Sequence, residues 1–138
     1  SYNGRMSSAD LPVANGSELV ILLCTFPSGN EWGEVANTLL HERLCACVNQ
    51  VREVSSIYHW QGEIVSNREV VCMIKTSAVR YPELVQRLTD LHPYDVPEIV
   101  RLSVESVNQA YLDWVVSECD PSSPESSRTD GEGQLDEV

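Results

Sequence analysis

The sequence contains a single lysine, Lys75, and few basic residues of any kind. Nine bases face 21 acids, for a formal net charge of −12. That balance excludes a nucleic-acid binder, whose phosphate contacts draw on clustered Lys and Arg. No apolar run approaches the roughly 20 residues that a membrane-spanning helix needs. The opening stretch SYNGRMSSADLPVANGSE lacks the apolar core of a secretory signal, and it does not begin with Met, which is compatible with a trimmed leader. Catalytic signatures are missing as well. There is no P-loop, no G-x-G-x-x-G and no G-x-S-x-G, and no Ser/His/Asp set follows from spacing. The chain reads as a non-enzyme. Its cysteines, Cys24, Cys45, Cys47, Cys72 and Cys119, are odd in number and scattered through apolar segments. They form no disulfide framework and point to free thiols in a reducing, cytoplasmic compartment.

What is present is one domain's worth of chain, 138 residues with 42% apolar content, enough for a core without staples. Both flanks are poor in apolar residues. Residues 1–17 read as a flexible segment. Residues 120–138, with six acids and one Arg among Ser, Pro and Gly, read as a disordered acidic tail, because such composition cannot offset the entropy of ordering.

Residues 18–119 form the expected domain. ELVILLC (18–24) is a strand ended by the loop TFPSGN. Trp32, Val35, Ala36, Leu39, Leu40 and Leu44 recur at helical spacing over 30–44, with Asn30 as N-cap. Two long β-rich stretches, 45–60 and 63–77, flank a hairpin turn at Gln61–Gly62. A second helix covers 81–92 on Leu84, Val85, Leu88 and Leu91, with Pro82 in its first turn. A strand at 98–106 and a helix at 107–119 follow. The order β-α-β-β-α-β plus a C-terminal helix predicts an α+β, ferredoxin-like split βαβ sandwich, with strand order 4-1-3-2. Helices in that fold cover one sheet face, yet LVILL and VVCMI are apolar at odd and even positions alike. The second face therefore needs cover, most simply another subunit. The long hairpin overshoots the sheet and can pair with a neighbour's edge, which predicts a closed homo-oligomer.

The segments LLCTFP, LLHERLCACVNQV, SIYHWQGEI, VVCMIKTS, LHPYDVPEIV and NQAYLDWV, in that order over about residues 18–118, resemble the divalent-cation tolerance protein CutA family. The resemblance implies a homotrimer of ferredoxin-like subunits with PII-like architecture. It also implies association with copper and other divalent cations, a role in metal-ion tolerance or homeostasis, and no established catalysis. Alternatives from other classes are a PII-like sensor that binds a small anion in its intersubunit clefts, and a purely structural scaffold trimer.

Cys24 and His92 are the candidate metal ligands, with Glu98 as a third. Both lie at one end of the sheet, a thiol and an imidazole suit copper or zinc, and by resemblance their positions match ones linked to copper. The family pattern has two adjacent histidines before PY, however, and this chain has Leu91–His92. The competing readings are a backbone-bonded histidine at a helix C-terminus and a packed strand thiol. Cys45 and Cys47 alternate onto one strand face but lack further ligands nearby, so they read as core, as does Cys72. Lys75, Tyr58, Trp60, Tyr94 and Glu98 are candidates for a ligand cleft between subunits, where Lys75 can receive an anion or pair with a neighbour's Glu98. Interface packing explains the same residues.

Overall fold

Leu19–Pro27 forms the central strand, because its side chains are wanted on both sides of a sheet. A computed structural model describes residues 12–124 of the chain. In chain order it contains β1 (Val13–Asn15), a 3-10 turn (Gly16–Glu18), β2 (Leu19–Pro27), α1 (Glu31–His41), β3 (Cys47–Trp60), β4 (Glu63–Ser77), α2 (Tyr81–Leu91), β5 (Ile99–Leu102), β6 (Ser106–Asn108) and α3 (Gln109–Glu118). Four strands make one antiparallel sheet in the order β3-β4-β2-β5, which is the expected order 4-1-3-2 read from the other edge. The mixed α+β architecture and its three helices agree with the pattern read from the residues.

Alternation along β2 decides what each face does. Val20, Leu22, Cys24 and Phe26 point to the helices and join Val70, Cys72 and Ile74 of β4, Val35 and Leu39 of α1, and Leu84 and Leu88 of α2 in the main core. The opposite face carries Ile21 and Leu23, beside Val71 and Met73 of β4 and Val100 and Leu102 of β5. α3 covers one end of the sheet with a second cluster, Leu19, Leu112, Val115 and Cys119. Beyond that end the second face stays partly exposed in the single chain, with Val100 at 43% and Leu102 at 36%.

β3 and β4 continue past the end of β2, which stops pairing at Pro27 opposite Glu69. The overshooting arm runs from Val54/Glu69 to Trp60/Glu63 after a bulge between Val51 and Val54 that places one extra residue on β3. Gln61 and Gly62 close it with φ of 50° and 82°. Two successive positive values make the two-residue turn whose twist suits a hairpin.

Several boundaries differ from the sequence pattern. β2 extends to Pro27 rather than ending at residue 24, because Phe26 is buried opposite Val70; Cys24 is thus inside the strand. The strand expected at 98–106 divides. β5 pairs for four residues, then the chain turns away and β6 pairs with β1 in a separate two-stranded sheet. The turn is held by Gly16, whose N–H donates to Glu105 O at 3.0 Å. A Cβ there would meet Val104 O at 2.2 Å, so glycine allows a backbone approach that no other residue could make. Regular structure therefore begins upstream of residue 18. The remainder of the expected flexible segment (1–11) and of the acidic tail (125–138) lies outside the described residues. Asn30 occupies the N-cap position of α1 without a side-chain cap bond, and α1 ends at His41 rather than 44.

Candidate functional site

α2 and β2 bring His92 against the strand end. Pro93 stops α2 after Leu91, and the His92 ring stacks on Phe26 with centroids 4.4 Å apart. Nδ1 accepts the Tyr94 backbone N–H at 3.0 Å, so the proton resides on Nε2, which donates to Thr25 O at 2.8 Å. Both nitrogens are bonded to backbone, and neither keeps a lone pair for a metal. Burial lowers the His92 pKa below its ordinary value, against opposing pulls from the Thr25 carbonyl and the charges of Glu31 and Glu69.

Cys24 is fully buried on the core face, directly opposite Cys72 across the strand pair. Burial first, then Cys72 and Glu98, pushes its thiol up to about 12. The thiolate, which is the ligand form, is therefore scarce at neutral pH. Its Sγ lies 3.9 Å from Thr25 O, the same carbonyl that accepts from His92. The two candidate ligands thus converge, but on a backbone oxygen. Glu98, exposed, is near enough to act on the Cys24 thiol. Among the described residues, no three His, Cys, Asp or Glu side chains are grouped to hold a metal ion, so a resident metal centre does not fit this chain taken alone.

The C-x-C pair separates. Cys45 precedes β3 and is buried in the core, whereas Cys47 begins the strand on the open face, partly exposed and 3.5 Å from Asn49 Oδ1. The reason is that β3 starts at residue 47, so alternation does not yet apply at 45. Cys72 is core as expected.

Four of the five cleft candidates come together. Tyr58, Trp60, Tyr94 and Glu98 line a cleft of about 730 Å³ between the overshooting hairpin and the loop after α2. Opposite pairing puts Ser56, Tyr58 and Trp60 of β3 on one face with Asn67, Val65 and Glu63 of β4. The Tyr58 hydroxyl donates to Asn67 Oδ1 at 2.9 Å and the Tyr94 hydroxyl to Glu69 Oε2 at 2.8 Å. Burial foremost, then that bond, raises the Tyr94 pKa, so it stays a donor. Lys75 lies elsewhere: it sits opposite Ile21 and Cys47 and donates to Asn49 Oδ1 at 2.6 Å. Sequence reasoning missed Glu69 and Asp95, which also line the cleft. The signal for Glu69 was available, since it continues the odd-numbered face of β4 into the overshooting arm. An anion meets no Lys or Arg among the described residues lining this cleft.

Comparison with known proteins gives a consistent result. The family described as CutA1 divalent ion tolerance protein matches residues 20–118. The divalent-cation tolerance protein CutA of Thermus thermophilus is 45% identical over 95 residues, 69% of this chain and 92% of the relative. The structure of CutA from Synechococcus elongatus superposes with a TM-score of 0.75 at 30% identity, covering 78% of this chain and 96% of that one. A CutA structure from Archaeoglobus fulgidus, described as a periplasmic divalent cation tolerance protein, superposes with a TM-score of 0.71 at 27% identity over 74% of this chain and 99% of that one.

Proposed function

The chain belongs to the CutA1 family of divalent ion tolerance proteins, and from that premise we propose a role in divalent-cation tolerance and homeostasis, carried out without catalysis by a homotrimer. Its subunit is the ferredoxin-like sandwich, its assembly PII-like, and its cargo copper or another divalent cation. The observation that supports the assembly is the partly exposed apolar sheet face, with the hairpin that overshoots it. A face of this kind is a liability in a monomer and an interface in an oligomer. The free thiols are those of a protein in a reducing compartment, the cytoplasm.

Cargo binding is weak on this reading, with Cys24 and His92 the candidate donors and Glu98 the third. The Thr25 carbonyl must release both before either can reach a metal, and Cys24 must lose a proton held up to about 12. Isothermal titration with Cu(I), Cu(II) and Zn(II) tests the proposal on the wild type and on Cys24→Ser and His92→Ala. Binding that weakens about tenfold or more in either variant supports these donors. Unchanged affinity in both removes them, and a wild type that binds no metal leaves the scaffold alternative.

A further inference from the structure

The turn after α1 and the C-terminal end of α3 bring together two cysteines that the metal reading does not use, Cys45 and Cys119. Arg43 Nη1 donates to Glu118 O at 3.1 Å, which ties the residue before Cys119 to the turn that holds Cys45. Thr76 of β4 closes the same junction. Its hydroxyl donates to Leu44 O at 2.7 Å, and Cys119 Sγ lies 3.6 Å from that hydroxyl oxygen. One threonine side chain thus separates the Cys119 sulfur from the residue preceding Cys45. Both thiols are free and buried, at 2% and 1% exposure. They also act on each other: burial first, then the charges of Cys119 and Cys47, holds the Cys45 proton well above the ordinary thiol range.

Access and freedom to move set this pair apart. Cys119 lines a cavity of about 280 Å³, walled also by Ser77, Arg80, Val116 and Pro121. The cavity lies where β4 ends, at the opposite end of the sheet from the overshooting hairpin. Hydrogen peroxide is little larger than water and can enter such a space, whereas a bulky thiol reagent cannot reach a sulfur so buried. Cys45 lies in the turn before β3, and Cys119 just after the last residue of α3, so each can shift without breaking a ladder. Cys24 and Cys72 are directly opposite each other, but both sit in strands paired on two sides.

We infer that Cys45 and Cys119 are an oxidation-sensitive pair, in which a hydroperoxide entering this cavity oxidises Cys119 and Cys45 then closes the disulfide. The Cys119 sulfur attacks the peroxide O–O bond and forms an S–O bond, and the second oxygen leaves with the thiol proton as water. The sulfenic acid is neutral, so the Cys119 charge no longer helps to hold the Cys45 proton. The Cys45 sulfur then attacks the Cys119 sulfur, the S–O bond breaks, and the hydroxyl leaves with the Cys45 proton as a second water. Two thiols and one hydrogen peroxide give one disulfide and two waters. The bond fastens the end of α3, and with it residues 119–124, to the turn that Arg43 already ties to Glu118 and Pro124. The inference does not depend on metal cargo at Cys24 and His92.

The test exposes the reduced full chain, in its native assembly, to hydrogen peroxide and follows it by intact mass and by a peptide map without reductant. The expected product is about 2 Da lighter, has two fewer alkylatable thiols than the five of the reduced chain, and carries a Cys45–Cys119 link that a dithiol reverses. Cys47→Ser, which removes the competing sulfur two residues away, is expected to form the same link. Cys45→Ala and Cys119→Ser are expected to form none. Because either change can unsettle the core, the wild type is also oxidised in urea, where the pairing is expected to lose its selectivity. The urea midpoint of the native oxidised product is expected to rise, since the bond closes a long loop. Retention of all five thiols, a link through Cys24, Cys72 or Cys47 instead, an equal yield of the Cys45–Cys119 link in urea, or a midpoint that fails to rise would each overturn the inference.

Discussion

Each nitrogen of His92 has a backbone partner in the fold, and that arrangement suits only the neutral ring. Protonating Nδ1 would set an N–H against the Tyr94 N–H, and burial already lowers the pKa. Above about pH 6.5, the ordinary imidazole value, the folded and unfolded chains both hold His92 neutral and its contribution is complete. As pH falls below that value the unfolded chain takes up a proton that the folded chain resists, so stability declines. The urea midpoint is therefore expected to drop between pH 7 and pH 5. His92→Asn is expected to lose most of that slope and, because the Thr25 carbonyl loses its donor, to be about 1–3 kcal/mol less stable at pH 7. Equilibrium unfolding of both proteins at pH 5, 6 and 7 reads the two effects separately. The sequence already marked His92 as notable, and Leu91 before it as part of the α2 stripe. It could not show the intervening Thr25 carbonyl, because that depends on β2 running three residues past Cys24.

At the scale of elements, the end of α1 shows what periodicity can and cannot predict. Leu44 continues the apolar stripe, so the pattern extends the helix to residue 44, yet the helix ends at His41. Arg43 turns the chain with φ of 60°. The Arg43 N–H donates to Leu40 O and the Leu44 N–H to Leu39 O, each at 3.0 Å, while Leu44 and Leu39 share the core. These are the paired bonds and the apolar contact of a Schellman C-terminus. Glycine normally announces that motif, and here arginine occupies its place for the sake of its side chain. Arg43 Nη1 donates to Glu118 O at 3.1 Å and Glu118 Oε1 at 2.7 Å, Nη2 donates to Pro124 O, and its own carbonyl accepts from Arg80 Nε. Arg43→Ala removes the side-chain bonds and keeps the strained φ, and is expected to destabilise by about 2–3 kcal/mol. Arg43→Gly removes the same bonds and relieves the backbone, so it is expected to recover about 1 kcal/mol of that loss. Thermal or urea unfolding of the pair checks the order, and an alanine variant at least as stable as the glycine variant would contradict it. The long elements were legible because each repeats its period over three or more turns or pleats. β1 and β6 were not, since three residues carry no period and their pairing depends on a backbone approach at Gly16.

For the whole molecule, the sheet face that the helices leave open was the strongest inference from sequence, and the single chain leaves Ile21, Leu23, Val71 and Met73 partly exposed there. Burying such a face contributes about 25 cal/mol per Å² of apolar area, which favours association of copies that present the same patch. Cys47 reports on it. Four of the five thiols are buried within the chain; Cys47 alone is partly exposed, and it sits on the open face opposite Lys75. A monomer therefore offers one thiol to a reagent, whereas a trimer closed over this face offers none. With an aromatic disulfide reagent, native protein is expected to release less than one equivalent of thiolate on the timescale on which denatured protein releases five. A Val100→Lys/Leu102→Glu double variant sets charge on the same face at its β5 edge, away from both buried clusters. It is expected to sediment as a smaller species and to expose Cys47 to rapid labelling. Fast labelling of one thiol in the wild type, with the mass of a monomer at equilibrium, would show that the face stays open in solution and that the apolar pattern serves some other contact.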